Sequence, residues 1–191
     1  MEEKFIQQLR EGNLNAYQEL VAQTSGRIYN IALGLLQNKE DAEDITQEVF
    51  VEVYQSVSRF SEKSKLSTWI YRITISKSLE LIRRRSRKKR TGIVLSLFGR
   101  ENHLNVTNTS PFYHPGVKLE NKERTAVLFR AIEQLPDRQR VAFTLHKLEN
   151  LNYAEIAEIT GISLSSVESL MFRARQNLRK YLSSYYDQNE K

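Results

Sequence analysis

The sequence predicts an all-α protein with two small helical domains, an N-terminal helical bundle and a C-terminal helix-turn-helix domain, joined by a flexible linker. Apolar residues recur at helical spacing through the first 90 residues and again over residues 122–184. The chain has only 7 Gly and 3 Pro in 191 residues, too few for an all-β fold with many tight turns. Between the helical stretches, residues 91–118 lose this spacing and are longer than loops inside compact domains usually are. The predicted boundaries are therefore 1–90, 91–120 and 121–191.

The N-terminal domain is predicted to be a series of amphipathic helices separated by polar breaks. One apolar stripe ends at Gly12-Asn13 and the next at Gln37-Asn38, where Asn38 or a neighbouring residue is a candidate N-cap for the following helix. Residues 59–68 are polar and interrupt the pattern, so another helix is expected to start after Ser67 or Thr68. Its β-branched residues resemble a strand, but its length and the lack of a partner strand favour a helix.

The C-terminal domain carries the sharpest local signal. Pro136 is suited to the first position of a helix, and residues 152–163 then combine a small Ala157, a Gly161 and a capping Ser163. A small residue lets two helices approach, Gly permits the left-handed turn, and Ser caps the second helix. This pattern predicts a DNA-binding helix-turn-helix, with an ordinary helical hairpin as the alternative.

Charge is unevenly distributed along the chain. Residues 1–60 hold five Lys or Arg against ten Asp or Glu, whereas residues 61–100 hold twelve against two. The densest run, residues 83–90, is positive at seven of eight positions. Such a run repels itself unless a polyanion neutralises it, which favours nucleic-acid phosphate over a merely solubilising segment.

Composition excludes several other classes of protein. With no Cys, the chain has no disulfide, Cys-ligated zinc or thiol nucleophile, and its three His are far apart. Glu40, Asp44 and Glu48 follow i, i+4 spacing, but no His or second acidic segment completes a metal cage, so no metal or cofactor is expected. No apolar run approaches the roughly 20 residues of a membrane span, and no secretory signal opens the chain. We expect a soluble, cytoplasmic protein.

Three segments carry a family resemblance. Residues 41–50, residues 67–73 and residues 135–175 closely resemble, in order, the core-binding, strand-melting and fourth-region motifs of the extracytoplasmic-function (ECF) sigma factors of bacterial RNA polymerase. The resemblance implies a protein that binds core polymerase and directs it to promoters without being an enzyme itself. It implies that residues 1–90 are sigma region 2 and residues 121–191 are sigma region 4. The implied partners are the beta-prime clamp helices, the beta subunit and promoter DNA, with an anti-sigma factor as a further candidate.

The resemblance also implies three sets of binding residues. The core polymerase would dock on Asp41, Glu43, Asp44, Gln47 and Glu48. The minus-ten element would be bound and melted by Phe60, Ser61, Lys63, Ser64, Lys65, Trp69, Tyr71, Lys77, Glu80, Arg83, Arg84 and Arg87. The minus-thirty-five element would be read by Ser163, Ser165, Ser166, Glu168, Ser169, Phe172, Arg173, Arg175 and Gln176. Glu168 and Leu170 stand where the family commonly has basic residues.

Several alternatives stay open on the sequence alone. Trp69 suits stacking on single-stranded DNA, but it suits the core of a small domain slightly better. The linker is either a passive tether or a segment that threads toward the polymerase cleft, anchored by Phe98, Phe112 and Tyr113. For the whole chain, the rivals are a stand-alone helix-turn-helix regulator and, less favoured, a metal-dependent enzyme acting on nucleic acid.

Overall fold

A computed structural model describes residues 2–98 and 122–189 of the protein, with side chains over residues 2–87 and 127–183. Over these residues the fold is entirely helical, which confirms the predicted fold class. In chain order the helices are α1 (Glu2–Arg10), α2 (Leu14–Leu36), α3 (Lys39–Ser56), a 3₁₀ turn (Val57–Arg59), α4 (Leu66–Phe98), α5 (Lys122–Glu133), α6 (Asp137–Lys147), α7 (Tyr153–Thr160) and α8 (Leu164–Asn189).

The N-terminal half, α1 to α4, forms a bundle whose helix starts are set by local capping. The side chain of Asn13 accepts a hydrogen bond from the Ala16 amide at 3.1 Å, and Asn38 accepts one from the Asp41 amide at 2.9 Å. The sequence predicts a cap at Asn38 or a neighbouring residue, and in the structure the cap is Asn38. Between α2 and α3 the chain reverses at Gln37, which adopts the left-handed conformation (φ 55°).

The C-terminal half, α5 to α8, contains the predicted helix-turn-helix. Asn152 and Glu155 form a capping box at the start of α7, and Gly161 ends that helix with φ 69°. The Ser163 hydroxyl then accepts a hydrogen bond from the Ser166 amide at 3.2 Å, which caps α8 as expected. Because the glycine supplies the turn and the serine the cap, the angle between α7 and α8 is specified locally.

Helix α4 is longer than the sequence predicts at both ends. It begins at Leu66, before the expected Ser67 or Thr68 cap, and it continues to Phe98, past the expected start of the linker at residue 91. Apolar spacing fails after residue 90, but Arg, Lys and Leu still favour a helix without such spacing. The remaining linker residues 99–120, including Phe112 and Tyr113, lie outside the described residues.

The two halves pack against each other through α2 and α4 on one side and α6 and α7 on the other, a packing here called the interdomain contact. One core cluster draws residues from both halves: Ile31, Leu35 and Tyr71 with Val141, Ala142, Leu145, Ile156, Ile159, Val167 and Met171. Gly34 permits the close approach, because a Cβ there would lie 2.6 Å from Leu148 Cδ1 and 2.7 Å from Thr144 Cγ2. At the same contact the Gln37 side chain donates to the Phe129 carbonyl at 2.6 Å.

Candidate functional site

Helix α3 presents an acidic, solvent-facing surface. Of the five predicted docking residues, Glu43, Asp44, Gln47 and Glu48 are exposed, opposite a buried stripe that includes Ala42 and Ile45. Asp41 differs, because its half-buried carboxylate is held in a two-pronged ion pair by Arg85 of α4. The structure therefore brings four of the five residues together on an open face, while the fifth, Asp41, forms an intramolecular ion pair.

The same surface includes two apolar residues that sequence reasoning missed. Val51 is 56% exposed and Tyr54 is 59% exposed, although both lie on a helix with a well-formed core stripe. The ring of Tyr54 packs edge-on against Tyr17 with centroids 5.3 Å apart. A signal for them exists in the sequence, since both are out of phase with the buried stripe. Exposed apolar side chains beside carboxylates are typical of the centre of a protein–protein interface.

An open groove of about 510 Å³ runs along this face between α3 and α4. Lys77 of α4, predicted to contact DNA, points instead to α3, with its Nζ 3.0 Å from Glu52 and 3.5 Å from Glu48. Burial disfavours the charged ammonium, but the two carboxylates outweigh burial and raise the pKa of Lys77. Lys77 thus joins the acidic surface, and its charge is already balanced there.

The loop predicted to hold a flipped base, residues 60–66, is tethered to α1. Phe60 is buried, contrary to its predicted place in the cradle, and its ring packs on Trp69 with centroids 5.1 Å apart. Trp69 is half-buried against the core, in line with the core interpretation. Arg10, which the sequence analysis did not single out, donates to the Phe60 carbonyl at 2.6 Å and pairs with Glu62 at 2.7 Å.

The polar residues of this loop remain available. Ser61, Lys63 and Lys65 are exposed and Ser64 is half-buried. Because Arg10 holds the backbone of the loop at Phe60, these side chains extend into solvent from a fixed backbone. Positive side chains on such a loop are suited to contact the phosphates of single-stranded DNA.

Helix α7 covers α4 near Tyr71 and Arg72, whereas the C-terminal part of α4 is exposed to solvent. Tyr71, expected to face DNA, is 4% exposed because it packs in the shared core of the interdomain contact. The next residue, Arg72, donates to the carbonyls of Glu158 at 2.6 Å and Ile159 at 3.0 Å, near the C-terminal end of α7. The expectation that Tyr71 is accessible is therefore wrong for this arrangement of the two halves.

Beyond Lys77, the basic end of α4 is exposed at each predicted DNA residue that the structure describes. These residues are Glu80, Arg83, Arg84 and Arg87. Arg83 lies 3.6 Å from the carboxylate of Asp137 on α6, which forms an ion pair across the interdomain contact. The side chains of residues 88–90, the rest of the basic run, lie outside the described part of the chain.

Helix α8 presents the predicted recognition face to solvent. Val167, Met171, Ala174 and Leu178 are buried on its inner side. The outer side exposes every predicted residue: Ser163, Ser165, Ser166, Glu168, Ser169, Phe172, Arg173, Arg175 and Gln176. Arg175 also donates to the Tyr153 hydroxyl at 2.8 Å, which ties α8 to α7. An exposed polar face on the second helix of a helix-turn-helix is what major-groove binding requires.

Residues 2–98 and 122–189 contain neither a metal-binding cluster nor a membrane-spanning helix. No group of three or more His, Cys, Asp or Glu there could hold a metal ion. In the same residues, no helix combines the length and apolar character needed to cross a membrane.

Comparison with known proteins agrees with this geometry. The family model "Sigma-70 region 2" matches residues 20–88, and "Sigma-70, region 4" matches residues 125–178. The chain is 32% identical over 188 residues to the ECF RNA polymerase sigma factor SigW of Bacillus subtilis, covering 95% of this chain and 97% of that protein. It is 34% identical over 170 residues to SigE of Mycolicibacterium smegmatis, covering 89% of this chain but 63% of the longer relative.

Solved structures give the same fold at lower identity. CnrH in complex with the cytosolic domain of CnrY aligns over 96% of this chain and 97% of that one, with a TM-score of 0.67 and 20% identity. The sigma factor RpoE of Bartonella quintana, solved with the anti-sigma factor NepR, aligns over 89% and 98% with a TM-score of 0.65 and 20% identity. The two matched regions and the near full-length relatives agree: the chain belongs to the ECF sigma factors of bacterial RNA polymerase.

Proposed function

We propose that this sigma factor docks on the clamp helices of the polymerase beta-prime subunit through α3 and directs the enzyme to promoters. The observation that carries the docking step is the open face of α3, where Asp44, Gln47 and Glu48 flank the exposed Val51 and Tyr54. Carboxylates give charge-assisted pairing with a basic helix, and the apolar pair supplies a dry centre. A stand-alone helix-turn-helix regulator has no use for this face.

Promoter DNA is then shared between two surfaces. The loop of residues 60–66 and the exposed basic end of α4 would bind the minus-ten element, while α8 would read the minus-thirty-five element. The exposure of Lys63, Lys65 and Arg84 supports the first assignment, and the exposed outer face of α8 supports the second. Residues 1–90 and 121–191 thereby act as sigma regions 2 and 4.

For Tyr71 to contact the minus-ten element, α7 must separate from α4. In the packed arrangement Tyr71 is buried and Arg72 is bonded to α7, so the single strand has no access to this part of α4. We infer that the interdomain contact opens when the chain engages polymerase and DNA. An anti-sigma factor that bridges the two halves would oppose this opening.

The protein positions another enzyme and is not proposed to catalyse a reaction itself; it would act in the cytoplasm, where polymerase and promoters are. Run-off transcription by core polymerase on a fragment carrying the protein's own promoter tests the function. We expect a discrete transcript only when the protein is added. The absence of any specific transcript, with polymerase shown active by another sigma factor, would contradict the proposal.

The docking surface is tested separately by charge reversal. D44K/E48K should abolish co-purification with core polymerase, because two attractive contacts become repulsive. E3K/E19K, which reverses two exposed charges on α1 and α2, is the matched control and should still co-purify. Native helicity of both variants, measured by circular dichroism, excludes unfolding as the cause. Equal retention of core by both variants would remove α3 as the docking helix.

A further inference from the structure

We propose that Glu168 is a specificity-determining residue of α8 that accepts a hydrogen bond from the amino group of a cytosine in the major groove. The inference rests on the proposed function, in which α8 reads duplex promoter DNA. Beyond that function, it states which base of the DNA one position of the recognition helix selects.

The first observation is the position of Glu168 on the outer face. Val167 and Met171 are fully buried on the inner side of α8, while Glu168 is exposed on the other side. Ser165 precedes it by three residues and Phe172, 61% exposed, follows it by four, so the three lie in one row. Glu168 therefore lies within the row of side chains that would face a groove, near the N-terminal part of the helix that enters the groove most deeply.

The second observation is that Glu168 has no hydrogen-bond or ion-pair partner within the described residues. Among the residues whose side chains are described, none donates a hydrogen bond to Glu168 or pairs with it. By contrast, Glu48 and Glu52 pair with Lys77, and Glu62 pairs with Arg10. Capping does not explain it either, because the cap of α8 is Ser163 and the helix-dipole effect fades beyond the first turn.

The chemistry of the groove then selects the base. A carboxylate on a DNA-facing surface is repelled by phosphates, so its presence is costly unless a base donor meets it. The major groove offers two amino donors, adenine N6 and cytosine N4. Adenine places its N7 acceptor beside the donor, where a second carboxylate oxygen would be repelled, whereas cytosine offers the donor without that acceptor. Cytosine is the better partner for Glu168.

The experiment uses the holoenzyme, formed from core polymerase and the full chain, with a duplex library randomised over the upstream promoter element. Bound sequences are compared for the native chain, Glu168→Gln and Glu168→Ala. The native chain should favour cytosine at one position by about 5- to 100-fold over other bases. Glu168→Gln should move the preference at that same position to adenine, since Gln pairs with N6 and N7, and Glu168→Ala should lose the preference.

Glu133→Gln on α5 is the matched control, because it removes an exposed glutamate charge from a different helix. It should leave all base preferences unchanged. If Glu168→Gln and Glu168→Ala bind all sequences more tightly to the same extent, Glu168 acts only as a repulsive charge and the inference is overturned. Unchanged preferences in both variants overturn it as well. Selection of no promoter sequence by the native holoenzyme would instead defeat the proposed function, and this inference with it.

Discussion

Glu149, in the loop between α6 and α7, and Arg27, on α2, face each other across the interdomain contact. The Glu149 Oε1 atom is buried and has no hydrogen-bond partner within the described residues. Burial raises the pKa of the Glu149 carboxyl from 4.5 to about 6, although a hydrogen bond with Asn30 and the charge of Arg27 act in the opposite direction. Tyr71 lies at the same place, with its hydroxyl 3.4 Å from the Arg27 guanidinium.

This relationship makes the interdomain contact sensitive to pH. Because the carboxyl pKa is higher in the packed state, that state binds more protons between pH 4.5 and about 6, and its stability falls as pH rises through this window. The loss is at most about 2 kcal/mol, and solvent screening of this half-buried group reduces it. Glu155 on α7 belongs to the same network, because its charge also raises the pKa of Arg27.

Glu149→Gln tests the sign of this dependence. We expect the variant to raise Tm relative to the native chain at about pH 7.5, and the difference to vanish at about pH 4.5, where Glu149 is neutral in the packed state. Glu19→Gln, an exposed position on α2, is the control and should show no such pH-dependent difference. Thermal unfolding followed by circular dichroism gives the Tm values. A Glu149→Gln effect of equal size at both pH values would contradict the predicted titration.

Two glycines of α2 test whether the halves pack as closely as described. Gly34→Ala should weaken the interdomain contact by about 1–3 kcal/mol, because its new Cβ would overlap Leu148 and Thr144. Gly26→Ala lies on the same helix with nothing within 4 Å of the new Cβ, and it should stabilise α2 by up to about 1 kcal/mol. Amide hydrogen exchange should become faster in α6 and α7 only in Gly34→Ala. Identical amide exchange of α6 and α7 in the two variants would show that the two halves lie further apart than in the structure.

The basic run at the end of α4 should determine part of the salt dependence of promoter binding. Changing Arg87, Lys88, Lys89 and Arg90 to Gln removes four positive charges from one helix. If all four contact phosphates, the slope of log affinity against log salt for the holoenzyme should fall in magnitude by about 3–4 units. Binding measured over a salt series gives the slope. An unaltered slope would assign the run a solubilising role.

Features set by near neighbours in sequence were predictable. The Asn38 cap, the left-handed Gly161 and the Ser163 cap each depend on contacts within a few residues, so the sequence indicates them directly. The exposure of the recognition face of α8 follows in the same way, because its apolar stripe fixes which side faces inward.

Features set by distant partners were not predictable. Phe60 and Tyr71 were expected to face DNA, but the first is buried by Trp69 and the second by helices of the other half. Likewise, the sequence shows Lys77 as a basic residue on α4 and cannot show that Glu48 and Glu52 lie beside it. Aromatic and basic side chains suit both a core and a nucleic-acid surface, so only tertiary contacts decide between them.

Variants of the two DNA-facing surfaces should be impaired at different stages of transcription initiation. Arg173 is exposed on α8, opposite the buried Met171 and Ala174, and Arg173→Ala should weaken binding to duplex promoter DNA by about 1–3 kcal/mol. Lys63 and Lys65 are exposed on the loop held by Arg10, and K63A/K65A should spare duplex binding and slow strand opening. The loop change acts later, because its side chains meet a strand only after the bases unpair.

A template with a pre-melted bubble separates these two effects. The bubble supplies the unpairing in advance, so it should restore transcription by K63A/K65A and leave Arg173→Ala impaired. Gel shifts on duplex DNA report the first stage, and permanganate reactivity of unpaired thymines reports the second. Lys180→Ala, an exposed position near the end of α8, serves as the control for loss of a positive charge and should pass both stages. Rescue of both test variants by the bubble, or of neither, would contradict the assignment of melting to residues 60–66 and of duplex docking to residues 163–176.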